Sequence, residues 1–260
     1  MKRLIANFNK YKYLLKELVK KDIKLKYRNS VLGLFWTLLE PLLTMIVLTF
    51  VFGSFYGKDI HTFPVYVLCG RLIYSFFSNG TKLALKSIRR NSSMIRKVYV
   101  PKYIYPLSSA LSGYITFLIS LIVLIAVGAV LKLQPTWHLL EAVFPLLVIL
   151  IMTIGTGLIL ATLDVFFRDT EYLWGVILML VMYASAIFYD VESMIGKHPE
   201  KRIILEMNPL FCIIQNFRDA IFGNPMNYKY FAYSGGCAVV LLVVGIVMFY
   251  KKQDKFVLYI

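Results

Sequence analysis

Residues 103–131 read YIYPLSSALSGYITFLISLIVLIAVGAVL and contain no charged side chain. A helix of this length spans about 43 Å, which exceeds the roughly 30 Å hydrocarbon core of a bilayer. The whole chain has the same character, since 59% of its 260 residues are hydrophobic, 17% are charged, and the mean hydropathy is +0.69. A soluble domain carries about 25% charged residues. The stretch therefore predicts a membrane-spanning helix in an integral membrane protein.

Five further apolar stretches are long enough to be spans, and together they predict an all-α integral membrane protein with six transmembrane helices in a single domain, residues 1–260. The other five are residues 31–56, 62–81, 142–163, 172–189 and 230–250. Two of the six contain a charge: Glu40, followed by Pro41, interrupts the first, and Arg71 lies inside the second.

The distribution of positive charge predicts the orientation. The formal net charge is +15, and ten Lys or Arg residues lie in residues 1–30 and seven more in residues 82–102. Cytoplasmic segments of membrane proteins carry the excess of Lys and Arg. We therefore expect a multi-pass protein of the cell membrane with both termini in the cytoplasm. The same distribution assigns the charge to topology and to anionic lipid headgroups, and it argues against a nucleic-acid partner.

Residues 11–28 predict an interfacial helix. Their apolar side chains fall on one arc at 100° per residue, with most of the lysines off it. The arc consists of Tyr11, Leu14, Leu15, Leu18, Val19 and Leu25. A solvated basic tail is the alternative. A cleaved signal peptide does not fit, because the apolar run begins only at Val31 and is too long.

The basic loop at residues 82–102 contains no acidic residue. Asn91, Ser92 and Ser93 are residue types that cap a helix, which predicts a short helix starting near Met94. Its apolar side chains, with those that follow it, are expected to be exposed and to dock into a partner protein; they are Met94, Ile95, Val98 and Val100. Contact with the membrane surface is the alternative.

The segment at residues 190–229 is too long for a simple connection and predicts an external gate region. Its apolar parts, residues 202–207 and 210–222, are separated by Asn208 and Pro209 and are too short to cross a bilayer. We expect re-entrant half-helices before the last span, forming a gate, or else a lipid-facing interfacial helix. At residues 164–169 we expect Arg168 to pair with Asp164 or Asp169 as a structural pin.

Charges and aromatic rings within the spans are candidates for a translocation path. Glu40 and Arg71 are expected to face a polar path in the bundle, or else to reach an interface. Rings near the span ends could line the same path and stack on sugars, or form the interfacial aromatic belt. The candidate rings are Phe35, Trp36, Tyr183, Phe188 and Tyr189.

Motifs for chemistry are missing from the sequence. No G-x-x-x-x-G-K-[ST] motif occurs, and the His and Cys residues lack the spacing of a metal site. No Ser/His/Asp grouping stands out. Small residues such as Gly155, Gly157 and Ala161 indicate close helix packing instead. We therefore expect no enzyme activity, no catalytic residue, no metal and no cofactor in this chain.

Several motifs taken together resemble the ABC-2 type polysaccharide-export permeases, over nearly the whole chain and in order. They are residues 15–28, 30–33 and 36–42, then 95–101 with 106–108, then 164–169, 208–210 and 217–219. The resemblance implies a homodimer joined by two copies of a separate ATPase subunit, which binds ATP and Mg²⁺. The substrate of such a permease is a lipid-linked O-antigen, capsular polysaccharide or teichoic acid precursor.

The resemblance also implies roles for particular segments. Met94, Ile95, Arg96 and Lys97 would belong to the coupling helix that contacts the ATPase, and the half-helices would gate the outer exit. Arg71 departs from the usually apolar second span of the family. Two other functions stay open: an ABC-2 exporter of small lipids or drugs, and a membrane-embedded glycosyl- or acyltransferase.

Overall fold

The computed structural model describes residues 2–53, 62–98, 100–189, 191 and 201–259, with only the backbone for residues 2–10 and 201. Residues 190 and 192–200 of the predicted external gate region lie outside this range, as do residues 54–56 of the first predicted span. Regular secondary structure in the described part is entirely helical. The helices are α1 (Lys2–Tyr27), α2 (Trp36–Phe52), α3 (Phe63–Arg90), α4 (Ser92–Lys97), α5 (Ile104–Val130), α6 (Val143–Phe166), α7 (Thr170–Tyr183), α8 (Lys201–Glu206), α9 (Pro209–Phe222), α10 (Tyr228–Lys252) and α11 (Phe256–Tyr259).

Four helical segments of the described part are long and apolar enough to cross a membrane. They are Gly33–Phe52, Ile104–Val130, Trp137–Phe166 and Tyr228–Tyr259, which contain α2, α5, α6 and α10 with their flanking 3₁₀ turns. The all-helical membrane fold is thus confirmed, with four spans by length and composition. Helix α3 is long enough, at about 42 Å, but its charged side chains lower its hydropathy.

The fifth predicted span is shorter than the sequence indicated. Helix α7 ends at Tyr183 and is about 21 Å long. Beyond it the backbone turns, and Ala186 has a φ of +48°, in the left-handed region that a helix cannot continue through. The prediction of one helix through residue 189 is therefore wrong, because apolar character alone does not reveal this turn.

Helix α3 forms the centre of the bundle, with α5 and α6 against it. Phe76 on α3 stacks on Phe117 of α5, with ring centroids 5.1 Å apart. Helices α6 and α10 approach more closely, since a Cβ atom added at Gly245 would lie 2.5 Å from the Gly155 carbonyl oxygen. A Cβ at Gly157 would likewise lie 2.8 Å from the Ala84 Cβ. The predicted role of these small residues in helix packing is confirmed.

Helix α1 packs on the bundle through its apolar arc. Leu15, Leu18 and Val19 are buried, and the first two belong to one cluster with Val100 and Ile104. The alternative of a solvated tail is therefore wrong for the described side chains of this helix. Part of the arc therefore packs against protein, at the same end of the molecule as α4. We call this end the α4 end. The opposite end contains α9, and we call it the α9 end.

Candidate functional site

A cleft of about 500 Å³ lies between α1, α2, α3 and α5. Ligand pockets in proteins are typically about 300–1,000 Å³. Polar and charged side chains from four helices line it: Asp22 and Lys26 from α1; Thr37, Glu40 and Thr44 from α2; Arg71, Ser75, Asn79, Lys82 and Arg90 from α3; and Ser109, Ser112, Thr116 and Ser120 from α5. Such a set is unusual among helices with this much apolar surface, so the cleft is the candidate site.

Helix α3 presents its polar residues to the cleft as one stripe. Arg71, Ser75, Asn79, Lys82 and Arg90 follow each other at intervals of three, four or eight residues, which places them on one face at 3.6 residues per turn. The rest of the helix is mostly buried between Phe63 and Ile88. The stripe is therefore the side of α3 that faces the cleft.

Helix α5 contributes a ladder of hydroxyl groups. Ser112 donates to the Ser109 carbonyl at 3.0 Å, Thr116 to the Gly113 carbonyl at 2.8 Å, and Ser120 to the Phe117 carbonyl at 2.7 Å. Each hydroxyl proton is thus satisfied within the helix, which lets these residues lie in an apolar bundle. The oxygen lone pairs remain available to a ligand in the cleft.

The structure brings Glu40 and Arg71 to the same cleft. Both side chains line it, although they form no ion pair with each other within 4 Å. Helix α2 continues through Pro41, and Thr44 donates its hydroxyl to the Glu40 carbonyl at 2.7 Å. The guanidinium of Arg71 lies 5.9 Å from the ring centroid of Tyr74 and has no carboxylate partner among the described residues.

The aromatic candidates do not line this cleft. Phe35 and Trp36 lie at the α4 end and are 53% and 41% exposed. Tyr183, Phe188 and Tyr189 lie at the α9 end; Phe188 stacks on Phe52 at 5.6 Å, and the Tyr189 hydroxyl donates to the Tyr183 carbonyl at 2.9 Å. The five rings therefore form two separate groups, one at each end of the molecule.

The short helix predicted after Asn91 is present as α4, but its exposed face differs from the expectation. It begins at Ser92, and the Asn91 side chain donates to the Ser87 carbonyl at 2.8 Å instead of capping α4. Ile95 and Val100 are buried in the cluster that includes Leu15, so their predicted exposure is wrong. One face of so short a helix must pack on the bundle for it to be stable.

The side chains that α4 and its C-terminal flank expose are thus mainly polar and basic. They are Ser93, Arg96, Lys97 and Val98, with Met94 partly buried. Of the four coupling candidates, Arg96 and Lys97 are accessible to a partner and Ile95 is not.

An ion-pair cluster that we name the α3–α6–α7 lock lies beside α4. Asp164 of α6 is fully buried and accepts from Arg89 Nε at 2.6 Å and from Arg89 Nη2 at 2.9 Å. Arg89 also reaches Glu171 of α7 at 3.2 Å, and Lys86 pairs with the same carboxylate. The lock joins three helices through charge-assisted bonds.

The lock replaces the predicted pin at Arg168 and Asp169. Arg168 and Asp169 are exposed, and neither forms an ion pair with any described residue. Asp164 instead pairs with Arg89, which is 75 positions away in sequence. The predicted pairing is wrong because α6 ends at Phe166. Arg168 lies in the turn after that end, and its side chain is exposed, away from the buried face of α6 that contains Asp164.

Arg218 of α9 is a second buried charge, which the sequence did not single out as a site. It is 1% exposed and lies in a helix that packs against α3, α6 and α10. Its Nε donates to the Tyr66 carbonyl at 3.2 Å and its Nη2 to the Ala186 carbonyl at 3.0 Å. A Cβ at Gly70 would come within 2.9 Å of Nη2, so the glycine makes room for the guanidinium. Arg218 joins α3, α9 and the turn after α7.

The boundaries of helix α9 agree with the prediction from the sequence. Asn208 caps it by accepting from the Leu210 backbone N–H at 3.0 Å, and Gly223 ends it with a φ of +80°. Most of its side chains are buried, so the alternative of a lipid-facing interfacial helix is wrong for α9. Beside it, hydrogen bonds from Arg202 and Tyr230 hold the pKa of Glu206 below its usual range.

Comparison with known proteins identifies the family of this chain. A sequence model of the ABC-2 type transporter family matches residues 13–222. The chain is 30% identical over 246 residues to the O-antigen export system permease protein RfbA of Klebsiella pneumoniae, covering 94% of this chain and 93% of that protein. It is 27% identical over 259 residues to the RfbA protein of Myxococcus xanthus, covering 98% of each.

A more distant relative is the capsule polysaccharide export inner-membrane protein CtrC of Neisseria meningitidis serogroup B, 24% identical over 241 residues, with 90% of this chain and 89% of that protein covered. This chain belongs to the ABC-2 type transporter family. It is a multi-pass membrane protein of that family.

Proposed function

We propose that the chain is the transmembrane permease subunit of an ATP-driven exporter that moves lipid-linked polysaccharide from the cytoplasmic side of the membrane to the outside. The names of its relatives, which are O-antigen and capsule export proteins matched over most of their length, support this function. The observation that carries it is the polar cleft between α1, α2, α3 and α5. A glycan is rich in hydroxyl groups, and it needs hydrogen-bonding side chains along its route through an apolar bundle.

The proposed topology has six spans with both termini in the cytoplasm. Helix α3 supplies the second span, with its charged stripe facing the cleft instead of lipid. Helix α7 with the turn after it supplies the fifth, and α8 and α9 form the outer re-entrant pair. The excess of Lys and Arg at the α4 end supports a cytoplasmic location for that end.

ATP hydrolysis is assigned to a separate ATPase, present in two copies, because this chain has no phosphate-binding loop motif. The exposed basic residues of α4, Arg96 and Lys97, are proposed to contact the ATPase, and two copies of this chain to form the permease. Helix α4 follows α3 directly, so a displacement of α4 acts on α3, and the lock passes it to α6 and α7. For ATP hydrolysis to drive transport, the ATPase must bind one arrangement of these helices more tightly than another.

Coexpression with its ATPase tests the proposal. We expect the ATPase to copurify with the chain, and ATP to deplete lipid-linked glycan from the cytoplasmic leaflet of vesicles. An R96A/K97A variant should lose copurification, whereas K251A/K252A, which removes two exposed lysines at the same end, should retain it. Absence of a copurifying ATPase would refute the proposal, and ATP-dependent movement of only small lipids would favour a small-lipid exporter instead.

A further inference from the structure

The cleft carries more positive than negative charge. Its lining includes Lys26, Arg71, Lys82 and Arg90 against the two carboxylates Asp22 and Glu40. One of the carboxylates is already engaged, since Arg90 Nη2 lies 3.8 Å from Asp22 Oδ1. Three cations then face a single carboxylate, so the cleft favours an anionic occupant.

Arg71 is the α3 cation of the cleft that lies farthest from the α4 end. It lies nineteen positions before Arg90 on α3, which is about 28 Å along the helix. A guanidinium stays charged under all conditions in a protein, and such a charge among membrane helices is costly without an anion or a polar cavity. The aromatic face of Tyr74, at 5.9 Å, compensates little of that cost. The part of the cleft around Arg71 therefore holds a cation without an anionic partner in the described part of the chain.

The groups around Arg71 suit phosphate oxygens. Ser75 and Asn79 follow it on α3, one and two turns towards Arg90, and both line the cleft. Amide and hydroxyl groups donate to phosphate oxygens alongside the guanidinium, which binds them as a two-pronged donor. The volume of about 500 Å³ accommodates a headgroup and the first part of an attached molecule.

The surroundings of the cleft suit a lipid. The part of the cleft that α1 lines lies towards the α4 end, where the proposed topology places the cytoplasmic headgroup layer. On α2 the lining residues Thr37, Glu40 and Thr44 adjoin an apolar face on which Ile46, Val47 and other large side chains are exposed. A molecule with its headgroup in the cleft could therefore keep its hydrocarbon chain on that face, in the bilayer.

We propose that the cleft binds the phosphate or diphosphate headgroup of a lipid-linked substrate, with Arg71 as the binding residue farthest from the α4 end and Lys82 closer to that end. The inference rests on the proposed export function and specifies which part of the substrate this site recognises. Ordinary anionic phospholipid offers the same phosphate chemistry, so the experiment distinguishes the two sources.

The test uses the purified full-length chain in phosphatidylcholine nanodiscs and measures binding of a labelled polyprenyl diphosphate. We expect polyprenol of the same chain length, which lacks the phosphates, to bind at least about tenfold more weakly. Loss of a charge-assisted contact in R71Q should weaken diphosphate binding by about ten- to a hundredfold. R71K keeps the charge but loses the two-pronged geometry, so it should weaken binding less, by about three- to tenfold. R168Q, which removes an exposed arginine outside the cleft, is the matched control and should bind as the unaltered chain does.

Three results would overturn the proposal. The first two are unchanged diphosphate binding in R71Q and binding of polyprenol as tight as that of polyprenyl diphosphate. The third is displacement of the labelled polyprenyl diphosphate by phosphatidylglycerol as effectively as by unlabelled polyprenyl diphosphate, which would assign the cleft to bulk lipid. If R71Q does not fold, K82Q tests the site instead, because Lys82 is exposed and its replacement should not affect folding. Diphosphate binding that is about three- to tenfold weaker in K82Q supports the site, and unchanged binding refutes it. Failure of the ATPase to copurify would refute the export function alone, since this binding assay needs no ATPase.

Discussion

Removing the cation of the α3–α6–α7 lock gives the sharpest test of the packing described here. The change is R89Q, which leaves the Asp164 carboxylate fully buried with neither of its bonds, at 2.6 Å and 2.9 Å, to a guanidinium. D164N is the complementary change. It leaves Arg89 partly exposed and still 3.2 Å from Glu171, so that cation keeps a partner.

The two variants should therefore differ in severity. Leaving a buried charge without its partner destabilises a protein by about 3–5 kcal/mol, so R89Q should fall in this range. D164N should lose about 1–2 kcal/mol, because one acceptor is replaced by an amide and the arginine remains satisfied. The double variant R89Q/D164N has no buried charge, and we expect it to be more stable than R89Q alone, by about 2 kcal/mol.

Thermal unfolding in detergent measures these differences. For a chain of this size a change of 1 kcal/mol corresponds to about 2–4 °C in Tm, so R89Q should unfold roughly 10 °C below the unaltered chain. R168Q, which removes an arginine with no described ion pair, should change Tm by about 2 °C or less. If R89Q unfolds at the temperature of the unaltered chain, or if the double variant loses the sum of both single effects, the lock does not hold these helices together.

Three further predictions concern other contacts. G245A should lose about 1–3 kcal/mol, because its Cβ would lie 2.5 Å from the Gly155 carbonyl oxygen, whereas G236A on the same helix meets nothing within 4 Å and should be neutral or slightly stabilising; thermal unfolding compares the two. R218L should lose about 3 kcal/mol by the same measurement, since it removes the buried hydrogen bonds from the guanidinium to the Tyr66 and Ala186 carbonyls, and equal stability would contradict that role. The pKa of Glu206 is lowered in the folded protein, so its ionised form stabilises the fold fully above pH 4.5, and this stabilisation is lost as the pH falls through the folded pKa. Over that acidic range, hydrogen exchange of residues 201–222 should become faster in the unaltered chain than in E206Q. Identical pH profiles of exchange in the two proteins would refute this role of Glu206.

Local sequence signals predicted individual helices well where the signal lies within one segment. The uncharged run around Ser112 predicted α5, because an uncharged run of that length has no stable place outside a bilayer. The boundaries of α9 followed from Asn208 and Gly223, since a capping side chain and a residue that accepts positive φ act on the adjacent backbone alone. The short helix near Met94 and the close-packing role of Gly155 were found in the same way.

Pairings between distant segments could not be read from the sequence. The buried state of Ile95 depends on the docking of α1, and the partner of Asp164 is on a helix 75 positions away, so the nearer Arg168 was chosen wrongly. Arg218 lies in the predicted external gate region, and only its tertiary neighbours show that α3 and the turn after α7 enclose its guanidinium.

The sequence by itself determined that this is a helical membrane protein with its positive charge concentrated at one end and, through several dispersed motifs, its family. Composition, periodicity and capping are local properties, and solvation by lipid or water selects among them segment by segment. Only the tertiary structure decided that Glu40 and Arg71 share one cleft with the hydroxyl ladder of α5. That outcome depends on how each helix is rotated about its axis against its neighbours, and this rotation is fixed by packing over the whole bundle.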